Sequence, residues 1–209
     1  MFGTHDLPLF LAAGLLLNIT PGPDMLYVMG RSMTQGWRAG FAAALGIGAG
    51  CFVHIIAAAV GLSALLAASA TAFTLVKIVG AIYLCYVGFS LLLAKAKTTA
   101  SEVQLAPASL RSIFMQGFLT NALNPKVALF FLAFVPQFIR AEVQDTWLAF
   151  LFLGAVFNVN GTLCNLCVAW VAARTSSKLR QSALIAGLNR CIGGLFIYLG
   201  VRLAFAKSA

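Results

Sequence analysis

Charge is what this chain has least of. Only 9% of its residues are charged, with 5 Asp and Glu together and 2 His, against about 25% charged residues in an ordinary soluble domain. So few carboxylates and imidazoles leave little from which to build a catalytic centre. There is no HExxH, no GxSxG and no pair of carboxylates at depth, so an intramembrane enzyme lacks its working groups. There is no GxxxxGK[ST] loop to cradle nucleotide phosphates either. Residues 1–6 hold no Lys or Arg, whereas a secretory signal needs a positive n-region, so the first apolar run reads as a retained helix. No cofactor and no metal centre is expected. Cys164 and Cys167 form a lone CxxC without a second pair, and Cys51, Cys85 and Cys191 lie scattered in apolar runs, where a thiol behaves as a small hydrophobe.

Apolar residues are what the chain has instead. They make up 61% of it, and the mean hydropathy is +0.96, which all but excludes a water-soluble globule. Apolar runs of about 20 residues are long enough to cross a bilayer, and they recur at residues 7–29, 39–62, 73–93, 113–139, 147–172 and 184–205. The expected fold is an all-α membrane protein with six transmembrane helices. Such spans and their short connections use all 209 residues, leaving no room for a soluble domain.

The formal charge of +9 has two readings, an anionic partner or the positive-inside bias of membrane proteins. No basic stripe interleaved with aromatics is present, so no nucleic acid is expected. The odd connections carry eight basic residues: Arg31, Arg38, Lys95, Lys97, Arg111, Arg174, Lys178 and Arg180. The other side carries three, Arg140, Arg202 and Lys207. That bias predicts odd connections in the cytoplasm and both termini on the outer, periplasmic side.

Residues 97–109 are the one polar linker, and they separate residues 1–96 from 110–209, three predicted helices in each half. The halves echo one another. Lys77-x-x-Gly80-Ala81-x-Tyr83-Leu84 returns as Arg190-x-x-Gly193-Gly194-x-Phe196-Ile197, and Pro23-Asp24 as Pro125-Lys126. An odd number of helices per half inverts the second half in the membrane, and inverted repeats with matching broken helices point to a secondary transporter.

The two breaks are the candidate site. Thr20-Pro21-Gly22-Pro23-Asp24 interrupts the first run, and Asn124-Pro125-Lys126 the fourth. Prolines remove backbone donors where lipid supplies no replacement, so such backbone must line a cavity walled by protein. A charge at that depth costs about 2.5–3.5 kcal/mol on insertion scales. Asn124 followed by Pro125 reads as an N-cap and first helical position, which would turn a positive dipole end and free N–H groups toward an anion. Asp24 suits a first turn. Lys126 opposes its own helix dipole, so an anionic partner is expected, either Asp24 or a substrate carboxylate. The bland alternative is a buried ion pair that only holds helices together.

Other polar positions within the spans are secondary candidates. Asn158, Thr162 and Asn165 share a helix face and suit either a solute pathway or bonds between helices. His54 reads as a satisfied structural histidine, with a proton relay as the alternative. Asn18 and Asn121 precede the breaks and would satisfy freed backbone groups. Lys77 and Arg190 lie near span ends and would snorkel. The pairs Gly36/Gly40 and Gly46/Gly50 allow close helix packing, within the chain or in a homo-oligomer.

At these residues the chain resembles the LysE/RhtB family of bacterial amino-acid exporters. The matching segments are Asn18-x-x-Pro21-Gly22-Pro23-Asp24, Gly36-x-x-x-Gly40 and Lys77-x-x-Gly80-Ala81-x-Tyr83-Leu84-x-Tyr86-x-Gly88 in the first half. Gly117-x-x-x-Asn121-x-x-Asn124-Pro125-Lys126, Phe130-Phe131 and Pro136-Gln137-Phe138 follow in the second. Asp24 directly after Pro-Gly-Pro is most similar to the homoserine/threonine-export branch. The resemblance implies an inner-membrane protein exporting small amino acids or their derivatives, such as homoserine, threonine or leucine, by proton antiport. Its partners would be the amino acid, protons and the lipid bilayer. A metal-ion translocating relative using Cys164 and Cys167, or a non-transporting membrane scaffold, is the alternative.

Overall fold

A computed structural model describes residues 2–64, 105–140, 143 and 145–174, with single positions at 75, 78, 82, 85, 86, 89, 93, 194, 197, 198 and 201. Most of the expected third and sixth spans lies outside the described residues. So do the Lys77 and Arg190 echo, Cys191 and residues 97–104 of the expected linker. Among the described residues there are six α-helices and no strand beyond an isolated bridge between Thr4 and Ile139.

Helix α1 spans Leu7–Ile19 and carries Pro8 in its first turn, where a missing N–H costs nothing. It ends because Pro21 disfavours helical backbone at the residue before it, and Thr20 swings out to ψ 121°. Gly22 precedes Pro23 and is extended for the same reason, with φ −152° and ψ −178°. Pro23 then opens α2, Pro23–Gln35, at 52° to α1. At the far end Gly36 turns the chain at φ +81°, a conformation that favours glycine, and leads directly into the third helix.

Helix α3, Trp37–Ala57, runs on through a π-helical turn at Ala58–Leu62, making 26 continuous residues. Helix α4, Leu110–Ala122, starts at Ser109, whose hydroxyl accepts the Ser112 N–H at 3.2 Å. Helix α5, Pro125–Leu129, continues through a π turn, Phe130–Phe134, and a 3-10 turn, Val135–Phe138, lying at 43° to α4. Pro136 cannot donate to the preceding turn, and the pitch tightens there. Helix α6, Thr146–Arg174, is unbroken over 29 residues.

At about 1.5 Å per residue, the 26-residue α3 segment and α6 both exceed a hydrocarbon core of about 30 Å. Among the described residues these two helices are long and apolar enough to cross a membrane, and the number rises to four if each bent pair is one span. Leu45, Phe52 and Ile56 on α3 and Val60 in its π turn, with Val159 and Leu163 on α6, leave large apolar side chains exposed. Water would penalise such faces; lipid does not.

The interior has two zones. Phe10 of α1, Phe130, Phe134 and Phe138 after the second break, and Phe150 and Phe157 of α6 form an aromatic cluster with ring centroids as close as 4.6 Å. The second zone, between α2, α3, α4 and α6, is built from small residues such as Ala39, Ala43, Ala44 and Ala169. There backbones touch. A Cβ on Gly46 would collide with the Phe114 carbonyl oxygen, one on Gly50 with that of Phe118, and one on Gly117 would lie 2.6 Å from that of Ala43. The Gly46/Gly50 pair is therefore used to seat α4 against α3 within one chain.

Candidate functional site

The two breaks meet. Lys126, in the first turn of α5, donates from Nζ to the Leu17 carbonyl oxygen at 2.8 Å and to that of Thr20 at 3.1 Å. In an uninterrupted helix the Leu17 carbonyl would accept the N–H of residue 21, which is Pro21 and has none. The ammonium fills that vacancy. It places a cation at the negative end of α1, which offsets the unfavourable start of its own helix. Of the two anionic partners expected for Lys126, Asp24 forms no close ion pair with it; among the described residues the close ion pair is His5–Asp6.

Asp24 stands in the first turn of α2, the favoured place for an anion. Its Oδ2 accepts from Asn121 Nδ2 at 2.8 Å, while Oδ1 is buried without a partner. Asn121 closes the end of α4. Its carbonyl oxygen accepts from the Asn124 N–H at 2.8 Å and from His54 Nε2 at 2.8 Å. A carbonyl only accepts, so the His54 proton sits on Nε2. The imidazole stacks on Phe131 at 6.3 Å and 17°. Asn121 Oδ1 is a further buried atom without a partner.

Asn124 is the N-cap that its position before Pro125 predicts, its Oδ1 accepting the Lys126 N–H at 3.0 Å. The cap closes part of the helix N-terminus that was expected to greet an anion, so the Lys126 side chain is the better cationic group here. Pro21, Pro23 and Pro125 act through the backbone, and Gly22 packs its Cα toward the Lys126 side chain.

Asn18, Thr20, Gly22, Asp24, Asn124, Lys126 and Asn165 line one small cavity of about 30 Å³. Asn18 Nδ2 is also buried and unpartnered, its amide pressed against Gly161. The space suits a water or two, well short of the roughly 300 Å³ of a small-molecule pocket. It is a small polar-lined chamber with unpartnered polar atoms in it and beside it.

Asn158 does not line this chamber. Its Nδ2 donates to the Gly48 carbonyl at 3.1 Å and its Oδ1 accepts from Thr162 at 3.4 Å, bracing α6 to α3. Cys164 and Cys167 line a neighbouring apolar groove of about 800 Å³ along α1 and α6, which shares Asn18 and Met25 with the chamber, and Cys164 Sγ is 3.5 Å from Asn160 Oδ1.

Sequence reasoning missed the Thr20 carbonyl and, further along α2, Tyr27, Arg31 and Gln35. The available signal was their register with Asp24, since residues 24, 27, 31 and 35 share one helix face.

Over residues 15–207 the chain matches the LysE type translocator family, and it belongs to that family. It is a transporter and not an enzyme. A homoserine/homoserine lactone efflux protein of Salmonella typhi is 30% identical, covering 96% of each chain. An uncharacterized membrane protein of Vibrio cholerae is 30% identical over 95% of this chain and 96% of its own. Another, of Pseudomonas aeruginosa, is 29% identical over 98% and 97%. No solved structure matches the chain.

Proposed function

We propose that this protein exports small amino acids or their derivatives, of the homoserine, threonine or leucine kind, across the bacterial inner membrane in exchange for protons. The observation that carries this reading is Asp24: a carboxylate between two helix breaks, with one oxygen held by Asn121 and the other buried and free. The substrate ammonium would take Asp24 Oδ1. Its carboxylate would take the Lys126 ammonium as that group leaves the Leu17 and Thr20 carbonyls. When no amine is bound, Asp24 would carry the coupling proton.

The membrane arrangement belongs to the same proposal. Residues 1–96 and 110–209 form inverted three-helix repeats, joined through residues 97–109, with α1/α2 and α4/α5 broken near the midplane. The two bent pairs fall in corresponding positions, each restarting at a proline, which supports the repeat. The basic bias supports cytoplasmic odd connections and periplasmic termini. A membrane potential supplies about 2.3 kcal/mol per charge per 100 mV. One proton in for one zwitterion out therefore drives export without ATP.

Efflux of preloaded amino acids from cells expressing wild type or Asp24→Asn, with and without a protonophore, tests the proposal. Rapid protonophore-sensitive efflux of one amino-acid class, lost in the variant, supports it. If the inserted wild-type protein alters efflux of no amino acid, the substrate class is wrong.

A further inference from the structure

Helices α2 and α4 run antiparallel and are stitched by polar side chains from one end to the other. Asp24 accepts from Asn121 beside the chamber. One turn on, the Tyr27 hydroxyl donates to the Ile113 carbonyl at 2.9 Å and lies 3.2 Å from Gln116 Oε1. Arg31 follows, with Nη2 donating to Gln116 Oε1 at 2.8 Å and Nη1 to Gln35 Oε1 at 2.9 Å and the Ala106 carbonyl at 3.0 Å. Gln35 finishes the seam by exchanging two hydrogen bonds with the Ala108 backbone. The seam joins one half of the chain to the other. It leads from residues 106–108 to the chamber.

Arg31 is the anomaly in it. Its side chain is only 4% exposed, and Nε is buried without a partner. Every acceptor it meets is a neutral oxygen, and among the described residues no carboxylate faces it. Its guanidinium also lies 5.6 Å from the centre of the Tyr27 ring, much as Arg38 and Arg174 lie over Trp37 and Trp170, but those two stand near helix ends and Arg31 is buried. A guanidinium buried among neutral oxygens is costly, and helix packing alone would be served as well by a neutral side chain. An anion that comes and goes would offset that cost. The guanidinium fork is shaped to take a carboxylate through two parallel hydrogen bonds. Arg31 also stands seven residues beyond Asp24 on the same face, about 10 Å along the helix.

We propose that the α2–α4 seam is the gate on the side where α2 turns into α3, the cytoplasmic side in the orientation above. When the seam parts, Arg31 exchanges Gln116 for the carboxylate of the incoming amino acid and passes it toward Asp24. The inference rests on the exporter reading and adds a first carboxylate site to it.

The test is efflux from proteoliposomes of the full chain as internal substrate is varied, using an exported amino acid and its amide, which lacks the carboxylate. Arg31→Lys keeps the charge and loses the fork. It should raise the half-saturating amino-acid concentration about tenfold, the worth of one good charge-assisted hydrogen bond, and leave the amide unchanged. Equal effects on both substrates, or none on either, overturn the inference. Gln116→Glu, nearly isosteric, would give Arg31 a permanent counter-ion. It should raise the unfolding temperature and slow amino-acid efflux about tenfold; unaltered efflux counts against the gate. If wild type exports and Asp24→Asn does not, while Arg31→Lys behaves as wild type, only this inference fails. If wild type exports nothing, both readings fail.

Discussion

The Lys126 ammonium occupies the place of the N–H that Pro21 lacks, 2.8 Å from the Leu17 carbonyl oxygen. The break between α1 and α2 and the charge at the break between α4 and α5 are thus one arrangement. A lysine from one half of the chain caps a helix of the other, and Asp24 is left with an oxygen for something else.

Removing that cap should be felt in stability as well as transport. Lys126→Met leaves the Leu17 and Thr20 carbonyls without a donor, at about 1–3 kcal/mol for each unsatisfied buried group. Lys126→Arg keeps a donor in reach and should lose less. Thermal unfolding in detergent checks this, with the midpoint falling in the order wild type, Arg, Met. A Met variant as stable as wild type would mean the cap is not what holds α1.

His54 separates a structural from a proton-carrying role. His54→Gln retains a donor for the Asn121 carbonyl but cannot titrate. The expected cost is about 1 kcal/mol of stability or less, with the pH profile of efflux unmoved. A shifted profile would place His54 in the proton path.

Close packing of α3 on α4 predicts a contrast between two glycines. Gly46→Val drives a side chain into the Phe114 carbonyl and should cost about 1–3 kcal/mol or more, since backbone gives way poorly. Gly61 has nothing within 4 Å of its would-be Cβ, so Gly61→Ala should be neutral or slightly stabilising. Melting curves of the two purified variants decide it.

Local chemistry was legible in the sequence, and long-range partnership was not. Asn124 before Pro125 announces a cap because both preferences act within one turn, and the structure shows the cap. Lys126 looked as if it needed a carboxylate because its helix dipole can be read from position alone. Its partners are carbonyls 106 and 109 residues away, set free by a proline whose consequence appears only when the halves meet. The Gly46/Gly50 pair signalled packing, while its partner, the α4 backbone, carries no side-chain signal. Arg31 was hidden by its place past the end of the first apolar run, in an expected connection, where a basic residue is ordinarily solvated. Its burial follows from residues 105–109 folding back over α2.

The most direct test of the central claim is proton movement driven by substrate in proteoliposomes, read with a pH-sensitive dye on the side to which protons move. In wild type, an outward amino-acid gradient should drive protons in the opposite direction. With Asp24→Asn, correctly inserted and still folded, that proton signal should vanish. Full proton-coupled transport by Asp24→Asn would contradict the account.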